Sequence, residues 1–152
     1  MGASGWQYYV PYVEDPREML VRLHIEELDG QKFYWPRSDI PRPTALRDFY
    51  RMMWSDSTAD EQLHLSGTHS ILDIMFLLPA GSQDEFASIM PLTSSEVIAA
   101  FGTEQPSRAQ FDATYSGGNN TIVDFPRWSG RYTTLYENDR PATLVLWGYS
   151  GD

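Results

Sequence analysis

Cysteine is absent from the 152 residues, which excludes disulfides, thiolate nucleophiles and cysteine-held zinc or iron–sulfur centres. Lysine is nearly absent too, since ten of the eleven cationic residues are arginine, a side chain suited to bidentate pairing. No apolar run approaches the roughly 18 residues that a membrane-spanning helix needs. The opening MGASGWQYYV lacks a basic stretch followed by an apolar one, so a secretory leader is not expected and a cytoplasmic protein is. Glycine-rich phosphate loops are missing, as are Gly-x-Ser-x-Gly and the histidine spacings of zinc enzymes, so no cofactor or metal is implied.

What is present begins with charge and aromatics. The net charge is −10, and from Met52 to Ser107 there is no cation at all, while Asp56, Asp60, Glu61, Asp73, Asp84, Glu85, Glu96 and Glu104 fall there. Such a field repels nucleic acid and attracts a basic protein surface. Aromatic residues make up 14% of the chain, including five Trp and nine Tyr, ample for a packed core. The length suits one domain, spanning residues 1–152.

Local patterning predicts the elements. GWQYYVPYV reads as a strand, placed at a sheet edge by Pro11, which cannot donate to a ladder. Asp15, Pro16 and Glu18 start a helix whose apolar stripe is Val21, Ile25 and Leu28. Leu46, Phe49, Tyr50 and Met53 recur at helical spacing. HSILDIMFLL reads as the central strand; Thr93 and Glu96 form a capping box before a helix closed by Gly102; a further helix follows Pro106; and a hairpin closes the chain. The order points to an α+β domain, with a mostly antiparallel sheet of about four to five strands and helices on one face.

Asp73 is the residue that a core strand does not explain. A carboxylate inside ILDIMF must face solvent, line a pocket or meet a partner, and Arg131 is a candidate. His69 and Asp73 share a strand face but stand about 13 Å apart at 3.3 Å per residue, so they form no dyad. His64 sits five residues from His69, a ligand spacing for neither helix nor strand, and His24 reads as a helix packing residue. Alternation puts Trp6, Tyr8, Val10 and Tyr12 on one strand face, with Trp147 and Tyr149 together near the chain's end. If the terminal strands pair, these rings line one end of the sheet as an aromatic binding surface.

Four segments, GWQYYVPYVED, GTHSILDI, FGTEQPSRAQ and GYSGD, resemble a family of small uncharacterised bacterial proteins. Its pattern is Gly-Trp-x-Tyr-x-Val-Pro-Tyr, Gly-Thr-x-Ser-Ile-Leu-Asp-Ile, Phe-Gly-Thr-x-x-Pro-[Ser/Thr]-Arg and a Gly-Tyr-Ser-x-Asp close. The resemblance implies a shared fold and a shared site among Trp6, Tyr8, Pro11, Tyr12, Gly67, Thr68, Ser70, Asp73, Gly102, Thr103, Pro106, Arg108, Gly148, Tyr149 and Ser150. It carries no established activity.

Two functions fit these residues. One is a small acidic binding protein that neutralises or escorts a basic partner, as immunity proteins do for toxins, steered by Asp56, Asp60, Glu61, Asp84 and Glu85 and anchored by aromatics. The other is a small cofactor-independent enzyme acting by proton transfer, cyclisation, dehydration or hydrolysis. Its pocket would hold Tyr8, Tyr12, Trp147 and Tyr149, with Asp73 or His69 as general acid or base and Arg131 binding an anion.

Overall fold

Aromatic and β-branched residues extend Gly5–Pro11 as strand β1 in a computed structural model that describes residues 3–54, 65–115 and 121–151. Helix α1 (Pro16–Gly30) starts at Asp15, whose carboxylate accepts the Arg17 N–H, with Pro16 in the first turn where its missing donor costs nothing. Helix α2 (Leu46–Trp54) follows the proline-rich connection. Then come a 3₁₀ turn (Ile71–Asp73), strand β2 (Phe76–Leu77) and strand β3 (Ser88–Pro91). Helix α3 (Ser94–Phe101) has the expected Thr93/Glu96 capping box, with Gly102 in the left-handed conformation at its end. Helix α4 (Arg108–Thr114) is capped by Ser107 and Gln110. Strands β4 (Ser129–Glu137) and β5 (Arg140–Tyr149) form the closing hairpin, turning through Asn138 and Asp139, both at positive φ.

The five strands lie in the order β1-β5-β4-β3-β2. The architecture is α+β, but the sheet is mixed, not mostly antiparallel: β5 runs antiparallel to both β1 and β4, while β3 is parallel to β4 and to β2. The chain between β3 and β4 holds two helices, long enough for the crossover that a parallel pair requires. Nor are the helices on one face. Leu144 and Leu146 join Trp6, Val10, Met19, Leu20 and Leu23 beneath α1, whereas Val145 and Trp147 join Val97 and Phe111 beneath α3 and α4. Strand β5 is therefore buried on both sides from Leu144 to Gly148.

Two local expectations are corrected. The central strand predicted at HSILDIMFLL is a 3₁₀ turn followed by a two-residue edge strand, because Ser70 caps the turn by accepting the Leu72 N–H. In α1 the buried positions are Met19, Leu20, Leu23, His24 and Leu28, and Val21 and Ile25 face outward at 43% and 44% exposure. His24 is a packing residue, as read. Its Nε2–H donates to the Ile71 carbonyl at 3.0 Å and its Nδ1 accepts from the Tyr50 hydroxyl at 2.8 Å. Burial pushes its pKa down to about 4, so the ring stays neutral.

Candidate functional site

Gly67 adopts φ +71°, and a Cβ there would stand 2.5 Å from the Asp73 carboxylate, so glycine is required on both counts. That turn aims the Thr68 N–H at Asp73 Oδ1 (2.6 Å), and the Thr68 hydroxyl donates to the same oxygen at 2.8 Å. The other oxygen, Oδ2, accepts from the Ser150 hydroxyl at 2.6 Å, across seventy-seven positions of sequence. Ser70 completes the group, 2.8 Å from the Thr68 hydroxyl. Thr68, Asp73 and Ser150 are fully buried. Burial raises the Asp73 pKa, opposed by the hydrogen bonds from Ser150 and Thr68.

Asp73 and Arg131 do not pair. The Arg131 guanidinium, on β4, reaches Asp84 in a bidentate bridge at 2.7 and 3.1 Å and lies 5.0 Å from the Phe125 ring centre. Asp84 enters β3 from the preceding loop, and β3 and β4 run side by side, so the bridge ties that loop to the parallel pair. His69 takes φ +54° and stacks on Tyr34, ring centres 4.4 Å apart at 11°. The separation expected from strand geometry does not apply, because the segment is not a strand; Thr68, not His69, donates to Asp73.

The predicted aromatic surface divides between the two faces of the sheet. Trp6 and Tyr8 belong to the α1 side, and the Trp6 indole lies over Gly130 and Gly148, where any Cβ would collide with it. Trp147 is fully buried on the opposite side, 5.2 Å from Phe111. Tyr12 is exposed beyond the end of β1. Alternation placed Trp6 and Tyr8 together on one face; a single pocket fails because β1 and β5 pair with Trp147 opposite Gln7, not Tyr8. Burial is the leading cause that raises the Tyr8 pKa, and the Glu27 carboxylate adds to it.

Three concavities bear on function. About 550 Å³ lies on the outer side of α1 against Arg17, Glu18, Val21, Arg22, Ile25 and Glu26. About 220 Å³ lies between Tyr8 and Leu23, Glu26, Glu27, Gly30 and Lys32. About 280 Å³ lies beside Ala3, Gly5, Trp6, Gln7, Tyr115 and Tyr149. None of the three is lined by His69, Asp73 or Arg131. No group of three or more potential metal-ligating side chains occurs among the described residues, and no described helix is long and apolar enough to cross a membrane.

Of the acidic steering candidates, Glu85 is exposed, Asp84 is engaged by Arg131, and Asp56, Asp60 and Glu61 lie outside the described residues, as does His64. Sequence reasoning missed two constellations. Ser150 as the partner of Asp73 was signalled only by both lying in quoted motifs. On the other side, the Tyr9 hydroxyl donates to Asp112 while the Arg108 guanidinium lies 3.8 Å from the Tyr9 ring centre, a cluster foreshadowed only by the one-turn spacing of Arg108 and Asp112. No family model, curated protein or solved structure matches the chain.

Proposed function

We propose that this chain is a small acidic binding protein, immunity-like in that it neutralises or escorts a basic protein partner. One observation carries the reading. Both charged groups that an enzyme would need at its centre are already engaged by the fold, Asp73 by three neutral donors in full burial and Arg131 by Asp84. The exposed surface that remains includes acidic and apolar side chains, with Arg17 and Arg22 among them on α1. Val21 and Ile25 sit in a shallow concavity rimmed by charge, the composition of a docking patch, and Glu85 is free to water on the β3 side. The net charge of −10, with no cation between residues 52 and 107, steers a basic partner over distances of about a Debye length, roughly 8 Å at physiological salt.

The test is native mass spectrometry of the protein purified gently from its own host. A basic protein at fixed stoichiometry, whose association slows steeply with added salt and with Glu85→Lys, supports the reading. A small-molecule adduct that disappears with Tyr149→Phe or Asp73→Asn, in variants that still fold, overturns it in favour of the cofactor-independent enzyme.

A further inference from the structure

The two edges of the sheet are built differently. At one, β2 offers only two residues. At the other, β1 offers seven, with no bulge in its pairing to β5 and no ionisable acid or base other than tyrosine from Ala3 to Val13. Natural edges are ordinarily shortened, charged or bent to prevent pairing, and β1 carries only Pro11, at its last position.

The ladder shows which backbone groups face outward. Tyr12 N–H donates to the Ala142 carbonyl and Ser150 N–H to the Ser4 carbonyl, so the even-numbered residues of β1 bond to β5. The N–H groups of Gly5, Gln7 and Tyr9, and the carbonyls of Gly5, Gln7, Tyr9 and Pro11, point away from the sheet. Among the described residues no strand pairs with them.

We propose that β1 pairs antiparallel with β1 of a second copy about a two-fold axis at Gln7, extending one sheet through both molecules. In this register Gly5 opposes Tyr9, Gln7 opposes Gln7, and Tyr9 opposes Gly5, so every outward N–H of these three meets an outward carbonyl. Pro11, which has no donor, falls outside the matched span. Trp6 comes opposite Tyr8 in the register on the α1 side, with its own indole directed inward over Gly130 and Gly148. On the other side, Tyr9 of each copy stands over Gly5 of its mate, where the 280 Å³ recess lined by Gly5, Gln7, Tyr115 and Tyr149 is open. The Tyr9 ring is held in a fixed orientation by Asp112 and the stacked Arg108 of its own copy. Electrostatics chooses the same seam: two molecules of net charge −10 repel least along their uncharged strand. The contact stands apart from the binding of a basic partner, and either can hold without the other.

Sedimentation velocity on the full chain tests it. The wild type is expected to be dimeric at about 100 µM and to dissociate on dilution. Gln7→Pro removes an outward donor that β5 does not use, so the fold should survive by circular dichroism while the dissociation constant rises at least about thirtyfold. Gly5→Thr, whose Cβ meets only ordinary contacts 3.7 Å away, should also weaken the dimer by obstructing the recess. Amide exchange needs no variant: protection at Gly5, Gln7 and Tyr9 should grow with protein concentration, while Trp6, Tyr8 and Val10 stay protected throughout. A wild type that remains monomeric at about 100 µM overturns the proposal. So does a dimer that survives both substitutions, or exchange at those three amides that ignores concentration.

Discussion

Asp73 and Asp84 are both carboxylates drawn into the protein, and they are accommodated in opposite ways. Asp84 keeps a quarter of its side chain exposed and meets one cation, Arg131, in a bidentate bridge. Asp73 is fully buried and has no such bridge; it accepts from the Thr68 amide, the Thr68 hydroxyl and the Ser150 hydroxyl. A cation satisfies a carboxylate from almost any direction. Neutral donors must arrive at the right place, and here they arrive from the Gly67 turn and from the chain's end beyond β5. Asp73 therefore specifies geometry, holding that turn and that end together, whereas Asp84 anchors one loop to β4.

The comparison breaks most sharply at Asp73. Asp73→Ala strands three buried donors and should cost about 3–5 kcal/mol in urea unfolding, with the m-value unchanged. Asp73→Asn keeps one acceptor for Thr68 and can donate to Ser150, so about 1–2 kcal/mol is expected. Equal losses in the two variants would mean that charge, not acceptor geometry, matters there. Asp84→Ala should cost about 2 kcal/mol by leaving the Arg131 guanidinium buried with only the Gly130 carbonyl and the Phe125 ring for company. Adding Arg131→Met should restore about half of that, and a double cycle with no recovery would dismiss the bridge as a unit.

The pH dependence of stability tests two buried groups that oppose each other. His24 titrates near 4 when folded and near 6.5 when not, so the unfolded chain takes up the proton first. Stability from that group falls as pH drops from about 6.5 and levels off below about 4. Asp73 runs the other way. Its folded pKa is raised above 3.8, so its contribution is full below 3.8 and is lost as pH rises through the raised value. Asp73→Asn should thus steepen the acid loss of stability, and His24→Gln should flatten it, each by at most about 1.4 kcal/mol per pH unit. Parallel curves for all three proteins would remove both groups from the balance.

Much of the local structure was legible because it depends on neighbours in sequence. Asp15 with Pro16, Thr93 with Glu96, and Gly102 mark helix ends by satisfying orphan backbone groups within a few residues. The alternation in β1 assigned Trp6 and Tyr8 to one face and Tyr9 to the other, and Pro11 placed the strand at an edge. The stretch Ser66–Pro79 misled because ILDIMF satisfies a strand's composition equally well. What decided it was Ser70 capping a 3₁₀ turn and Asp73 turning inward to a partner at position 150.

By itself, then, the sequence determined helix ends, strand periodicity, the α+β class and a strongly acidic charge, since each follows from local sterics, spacing or simple addition. Only the tertiary structure decided that Asp73 meets Ser150, that Arg131 meets Asp84, that helices cover both faces, and that among the described residues no strand pairs with the outer edge of β1. Those outcomes depend on which strands become neighbours, and side chains forty to eighty positions apart in the chain find one another only after the sheet has placed them.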